Sequence, residues 1–289
     1  MTSAKQAMPG RMLLVFGGMV VLALLLHIEV GSGHLTLGQV LVEMGRGPHA
    51  GASPENAIVW QIRLPRALAC LLVGANLAMV GSAFQALFRN PLAEPYIVGV
   101  SSGAAVGGTL AIVLGFGGMM GGLGTMLAGF ATGLATLALV TALARRGGRL
   151  DVEALLLAGV VAGSLLGAMV TLVIFAAGAN PLHVLRWLLG SMTPMTWFRV
   201  LALALVLAIG SALLMRHTKQ LNTFAVGEEV AMRLGVSTRT LKAMVLITGT
   251  AMVAVSVGTV GVIGFLGLVA PHLSRRLVGV DWRWSMAGS

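Results

Sequence analysis

ALLLAGVVAGSLLGAMVTLVIFAA, residues 154–177, contains no charged side chain in 24 positions. A helix rises about 1.5 Å per residue, so this run is long enough to cross the roughly 30 Å hydrocarbon core of a bilayer. Its glycines fall at 159, 163 and 167, the four-residue spacing that puts small residues on one helical ridge. Similar runs lie at 12–28, 67–87, 96–115, 118–143, 196–215 and 241–262. A less regular apolar segment follows at 263–279. The sequence therefore predicts an all-α, polytopic bundle of about eight spanning helices. No small-residue cleavage site follows the first run, so a retained helix is expected there rather than a secretory signal.

Composition agrees. Of the 289 residues, 57% are hydrophobic and only 10% charged, against about 25% charged in soluble domains. The 40 glycines suit close helix packing in lipid. Further small-residue ridges run through Gly99, Gly103 and Gly107, and through Gly129 and Gly133. In GTVGVIGFLG, residues 258–267, glycine recurs every third position, which predicts a helix break followed by a second helix toward APHLSRR. RNPLAEP, residues 89–95, is a proline-flanked turn between the second and third runs.

A net charge of +10 raises the question of nucleic acid. The basic residues are dispersed over loops between apolar runs, which fits the membrane positive-inside bias instead, and no nucleic-acid partner is expected. With the N-terminus in the cytoplasm, 14 of the 19 Lys and Arg fall inside. Arg46, Arg63, Arg66, Arg186 and Arg199 fall outside.

The spans hold almost no ionisable residue at depth; Asn76 and Gln85 are the notable polar residues of the second. Carriers driven by ion gradients usually bury a carboxylate, His or Lys for the coupling ion. No HExxH, GxSxG or paired intramembrane carboxylates occur, so no catalytic residue is assigned. No GxxxxGK[ST] phosphate loop is present either. The lone Cys70 leaves no internal disulfide, and the lone His272 beside Pro271 reads as a helix-end residue. No metal site or cofactor is expected. Energy for uphill transport would have to come from outside the bilayer.

One segment is unlike the rest. GEEVAMRLGV, residues 227–236, is short, charged and amphipathic. Glu229 and Arg233 stand at i,i+4, and Val226, Val230 and Leu234 share one helical face. It lies in a loop, 216–240, that the charge bias assigns to the cytoplasm. The residues alone allow a handle for a partner protein or a helix resting on the membrane surface.

Several stretches carry a resemblance. They are WQIRLPRALACLLVGANLAMVGSAFQALFRNPLAEPYIVGVSSGAAVG (60–107), LLLAGV (155–160), WLLGS (187–191), FAVGEEVAMRLGV (224–236) and GVIGFLGLVAPHLSRRLVGVDWR (261–283). In this order they resemble the permease family of bacterial ABC importers for iron–siderophores, haem and cobalamin. The first is nearest in pattern to the cobalamin permeases. The resemblance implies a single transmembrane permease domain over 1–289 in the cell inner membrane. It implies a second copy of the chain, two ABC ATPase subunits, and a periplasmic or lipid-anchored substrate-binding protein. It implies that 216–240 is the coupling segment, docking an ATPase through Gly227, Glu228, Glu229, Arg233 and Gly235. Arg63 and Arg66, which on residues alone could equally anchor a helix end at headgroups, would meet the binding protein. Asn90 and Leu92 would stand at the cytoplasmic gate. The family's small polar gate residues at the start of the fifth span are replaced here by Val152 and Glu153, so no gate role carries over to them. Family members usually have ten spans, two of them beyond the position of Arg283, so eight of ten are expected in this chain. The competing reading is an ATPase-independent channel or secondary carrier.

Overall fold

A computed structural model of the chain describes residues 9–29, 35–48, 53–147, 149–176, 181–278 and 281–288. The architecture is a polytopic helical bundle. Helix α1 (Pro9–Glu29) is followed by the short α2 (Leu37–Arg46) and α3 (Pro54–Ala57). A π-helical turn, residues 58–63, continues α3 directly into α4 (Leu64–Phe88). Then come α5 (Val100–Val113), α6 (Met119–Leu143), a two-residue hairpin of β1 (Arg145–Arg146) and β2 (Arg149–Leu150), α7 (Val152–Ala176) and α8 (Pro181–Leu188). The remainder is α9 (Trp197–Arg216), α10 (Thr218–Val226), α11 (Glu228–Arg233), α12 (Thr238–Val260), α13 (Leu266–Val278) and α14 (Trp282–Gly288).

Among the described residues, five stretches are long and apolar enough to cross a membrane: 54–88, α6, α7, α9 and α12. The ends of α6, α7, α9 and α12 lie within a few residues of the predicted runs, because a continuous apolar stretch on a helix reports directly on the solvent around it, whereas the first stretch begins 13 residues before its predicted run at 67. α4 and α12 are mostly buried, whereas α7 and α9 expose most of their apolar surface. The core between them packs Val80, Phe84 and Leu87 of α4 on Val245, Met252 and Val257 of α12, with Leu203 and Leu214 of α9.

Two predicted spans are corrected. The run 96–115 does not form a spanning helix: Pro95–Val98 is a 3₁₀ turn, and α5 has 14 residues, about 21 Å. The segment 263–279 likewise yields only the 13 residues of α13. Both half-length helices follow backbone that is not α-helical, 89–99 and 261–265, and these two stretches meet. Glu94 lies beside the Phe265 backbone and Tyr96 beside the Ile263 backbone. A methyl group on Gly267 would come within 2.8 Å of the Pro95 ring. Broken helices are tolerated among spanning ones because protein, rather than lipid, satisfies the freed backbone groups.

The glycine ridges pack as their spacing suggests. A Cβ on Gly103 would strike the Thr136 side chain at 2.1 Å, and one on Gly107 the Ala128 carbonyl at 2.3 Å, so α5 sits directly on α6. Gly159 meets the Ile97 carbonyl equally closely, Gly129 lies on Gly258, and Gly133 on Ala254. Gly167 has open space around its Cβ position. Its place in the ridge is periodicity without packing.

Candidate functional site

At one end of the bundle, the end of α6, the hairpin, the start of α7, α11 and the start of α12 enclose an open groove of about 1700 Å³. Arg89, Arg145, Arg239 and Lys242 line it together with Asp151, Glu153, Glu228 and Glu229. The opposite end carries α2, α3, the π turn and Trp197.

Each element of the groove has a local cause. Asp151 starts α7, its carboxylate accepting the Glu153 and Ala154 N–H groups at 2.9 and 3.1 Å. Glu228 and Glu229 sit in the first turn of α11, where they complement the helix dipole. Gly235, at φ +81°, turns the chain after α11 toward α12.

The expected single helical face is divided: Val226 ends α10, Gly227 is extended, Val230 is in α11 and Leu234 follows it, yet all three side chains point away from the bundle. Val226, Val230 and Leu234 are 75%, 42% and 69% exposed. Only Ala231 of α11 is buried. Glu229 and Arg233 do not pair. Among the described residues the ion pair on α11 is Glu228–Lys242, with both carboxylate oxygens engaged at 2.7 and 2.8 Å.

Lys242, absent from the sequence-predicted set, holds the arrangement together. It is 5% exposed. Its ammonium grips Glu228 on α11 and donates to the Leu150 carbonyl on the hairpin at 2.9 Å. It also lies 5.8 Å from the centre of the Phe224 ring on α10. One buried cation thus joins the exposed helix, the segment leading into α7, and α12. A lysine at the second position of an apolar run is the one sequence signal that could have marked it.

Asn90 and Leu92 are not part of the groove lining; only Arg89 of that turn is. The Asn90 side-chain oxygen accepts the Leu92 N–H at 2.9 Å, closing a tight turn that leaves the Leu92 side chain exposed.

At the other end the two arginines separate. Arg66 is exposed, whereas Arg63 is 5% exposed and donates to the Ile28 and Glu29 carbonyls at 2.7 and 2.9 Å. Those are the last carbonyls of α1, which have no partner within their own helix. Arg63 is therefore an internal cap, and the outer-contact expectation narrows to Arg66. Trp60 and Trp197 brace this end, their rings 6.3 Å apart, with the Trp197 indole N–H donating to the Trp60 carbonyl at 2.9 Å. The Trp60 indole in turn donates to the Glu43 carbonyl of α2 at 3.0 Å.

Residues 19–289 match the FecCD transport family. The chain belongs to that family. It is 37% identical over 280 residues to the vitamin B12 import system permease protein BtuC of Salmonella typhi, covering 96% of this chain and 81% of BtuC. It is 34% identical over 276 residues to the molybdate import system permease protein MolB of Haemophilus influenzae, covering 93% of this chain and 80% of MolB. A solved structure described as an inward-facing conformation of a metal-chelate type ABC transporter superposes with a TM-score of 0.83 at 31% identity, over 96% of this chain and 85% of that one. As a FecCD member the chain is a membrane transport subunit of the ABC permease class and not an enzyme.

Proposed function

We propose that the chain is the membrane-spanning permease of an ATP-driven importer that carries a metal chelate into the cytoplasm. Iron–siderophore, haem and cobalamin are the cargo class; the molybdate permease among the relatives extends the class to metal oxyanions. The single observation that carries the reading is the outward apolar cluster of Val226, Val230 and Leu234, in and on either side of a helix, α11, that Lys242 locks from behind. An apolar strip beside a groove of mixed charge is the surface chemistry of a protein contact.

In this reading the groove end and the N-terminus are cytoplasmic, in line with the distribution of Lys and Arg. Two ATPase subunits grip 216–240 of two permease copies, with Gly227, Glu229, Arg233 and Gly235 at the contact and Glu228 turned inward as an anchor. The second copy covers the exposed apolar face of α7. Arg66 steers a substrate-binding protein from outside. Asn90 and Leu92 border the inner opening of the path.

Co-expression with an ABC ATPase encoded beside the permease tests this. The ATPase is expected to co-purify with the parent chain. Val230→Asp with Leu234→Asp puts two charges into the apolar contact and is expected to cut retention by about tenfold or more. Equal retention by parent and variant would remove the docking assignment.

A further inference from the structure

Behind the exposed helix, a second set of polar contacts runs from the coupling segment into the bundle. Asn222 on α10 uses both arms of its amide on the start of α14. Its Nδ2 donates to Asp281 Oδ1 at 2.9 Å, and its Oδ1 accepts the Trp282 backbone N–H at 3.1 Å. α14 is tied back to α13 by Ser274, whose buried hydroxyl donates to the Ser285 carbonyl at 2.8 Å. The buried Trp282 ring stacks 5.0 Å from the Arg275 guanidinium. Arg275 donates to the Gln85 side-chain oxygen on α4. The Gln85 amide nitrogen faces the Gly267 and Leu268 carbonyls at 3.5 and 3.4 Å.

The series ends where helix breaks. Gly267 is backed against Gly81 of α4 with no space for a side chain, and against Pro95. Two residues earlier, Phe265 adopts φ +66°, exposes its ring, and sets its backbone beside Glu94. α13 and α14 therefore form one unit, clamped at its far end to α10 and at its near end to the two non-helical stretches.

We propose that Asn222, Arg275 and Gln85 are positioning residues that make the α13–α14 unit a lever between α10 and the break at 261–265. When α10 shifts, the unit moves as a body and Phe265 changes its surroundings. This rests on the reading of 216–240 as the ATPase-driven segment. Gln85 is where the lever bears on α4: a neutral amide can accept from Arg275 and face backbone carbonyls at once, which an apolar residue cannot. Adjacency alone does not establish transmission, so the test reads a response at one end to a change imposed at the other.

The test uses Cys70→Ala with Phe265→Cys, co-purified with its ATPase in detergent. The rate of labelling by a bulky polar maleimide is compared without nucleotide and with ATP plus vanadate. In this parent the rate is expected to change by about fivefold or more between the two states. Arg275→Met and Asn222→Ala are each expected to reduce that change to less than about twofold with the ATPase still bound. Arg275→Lys, which keeps a cation able to reach Gln85, is expected to restore it. Should Arg275→Met fail to accumulate, Asn222→Ala decides alone, since it removes only contacts at the bundle surface. A full nucleotide response in Asn222→Ala, or no response in the parent, overturns the lever while the ATPase reading stands. If no ATPase is retained by the parent, the reading itself fails and the lever falls with it.

Discussion

Lys242→Met is expected to leave the bundle folded but release α11 from it. The substitution keeps the aliphatic length of the side chain and removes the ammonium that Glu228, the Leu150 carbonyl and the Phe224 ring share. Glu228 is partly exposed and can turn to water, so the cost falls below that of a fully buried orphaned charge, at about 2 kcal/mol. That loss should be local to α11 and the hairpin. Amide exchange over 228–236 should accelerate by about 30-fold with little change in α4 or α12. Under the proposed function the consequence is uncoupling: ATP hydrolysis by the bound partner continues while cargo uptake falls by about tenfold or more. Lys242→Arg, which keeps a cation, should recover most of the exchange protection. Unchanged exchange in Lys242→Met would show that α11 is held by something other than this cation.

Gly81→Ala is expected to be the most damaging single-methyl change in α4. The added carbon would sit 1.9 Å from the Gly267 carbonyl oxygen and 2.6 Å from two further backbone atoms. Backbone cannot rotate away as a side chain can, so α13 must move off α4 by more than an ångström. Overpacking of that kind costs about 3 kcal/mol or more, equivalent to about 10 °C in detergent-solubilised Tm. Gly74 on the same helix is the control. Nothing lies within 4 Å of its Cβ position, and Gly74→Ala should hold Tm or raise it slightly through helix propensity. Thermal unfolding of the two variants side by side checks this, and equal Tm values would contradict the α4–α13 packing.

Most of the bundle was legible because lipid imposes one requirement on a helix, an apolar surface of sufficient length. That requirement placed α6, α7, α9 and α12 within a few residues of their true ends. It could not distinguish a full span from a half span. Residues 96–115 are as apolar as a spanning helix, but Pro95 and the positive φ of Gly99 let only the part from Val100 onward wind up. The break at 261–265 was legible because four glycines at threefold spacing forfeit helix propensity together. The segment 227–236 stood out by its charge, yet the break at Gly227 and the outward direction of its apolar side chains did not, since periodicity marks a face without saying what covers it. The anchoring role of Lys242 and the internal contacts of Arg63 escaped for a related reason. Their partners lie 14 to 92 residues away along the chain, and no local pattern records such a pairing. Gln85 and Asn76 stood out in the sequence as polar residues in an apolar run, and both are buried. For Gln85 the contacts with Arg275 and α13 supply the reason.

Under the proposed function this chain contains no engine of its own and is worked through 216–240. Reconstitution into vesicles tests it most directly, with cyanocobalamin, haem and a ferric hydroxamate siderophore offered in turn beside the matching binding protein. Accumulation of one of them is expected only when the ATPase and ATP are both present, and not with the permease alone under a proton or sodium gradient. Gradient-driven accumulation by the permease without any ATPase would show that the chain is not worked through 216–240 by a partner.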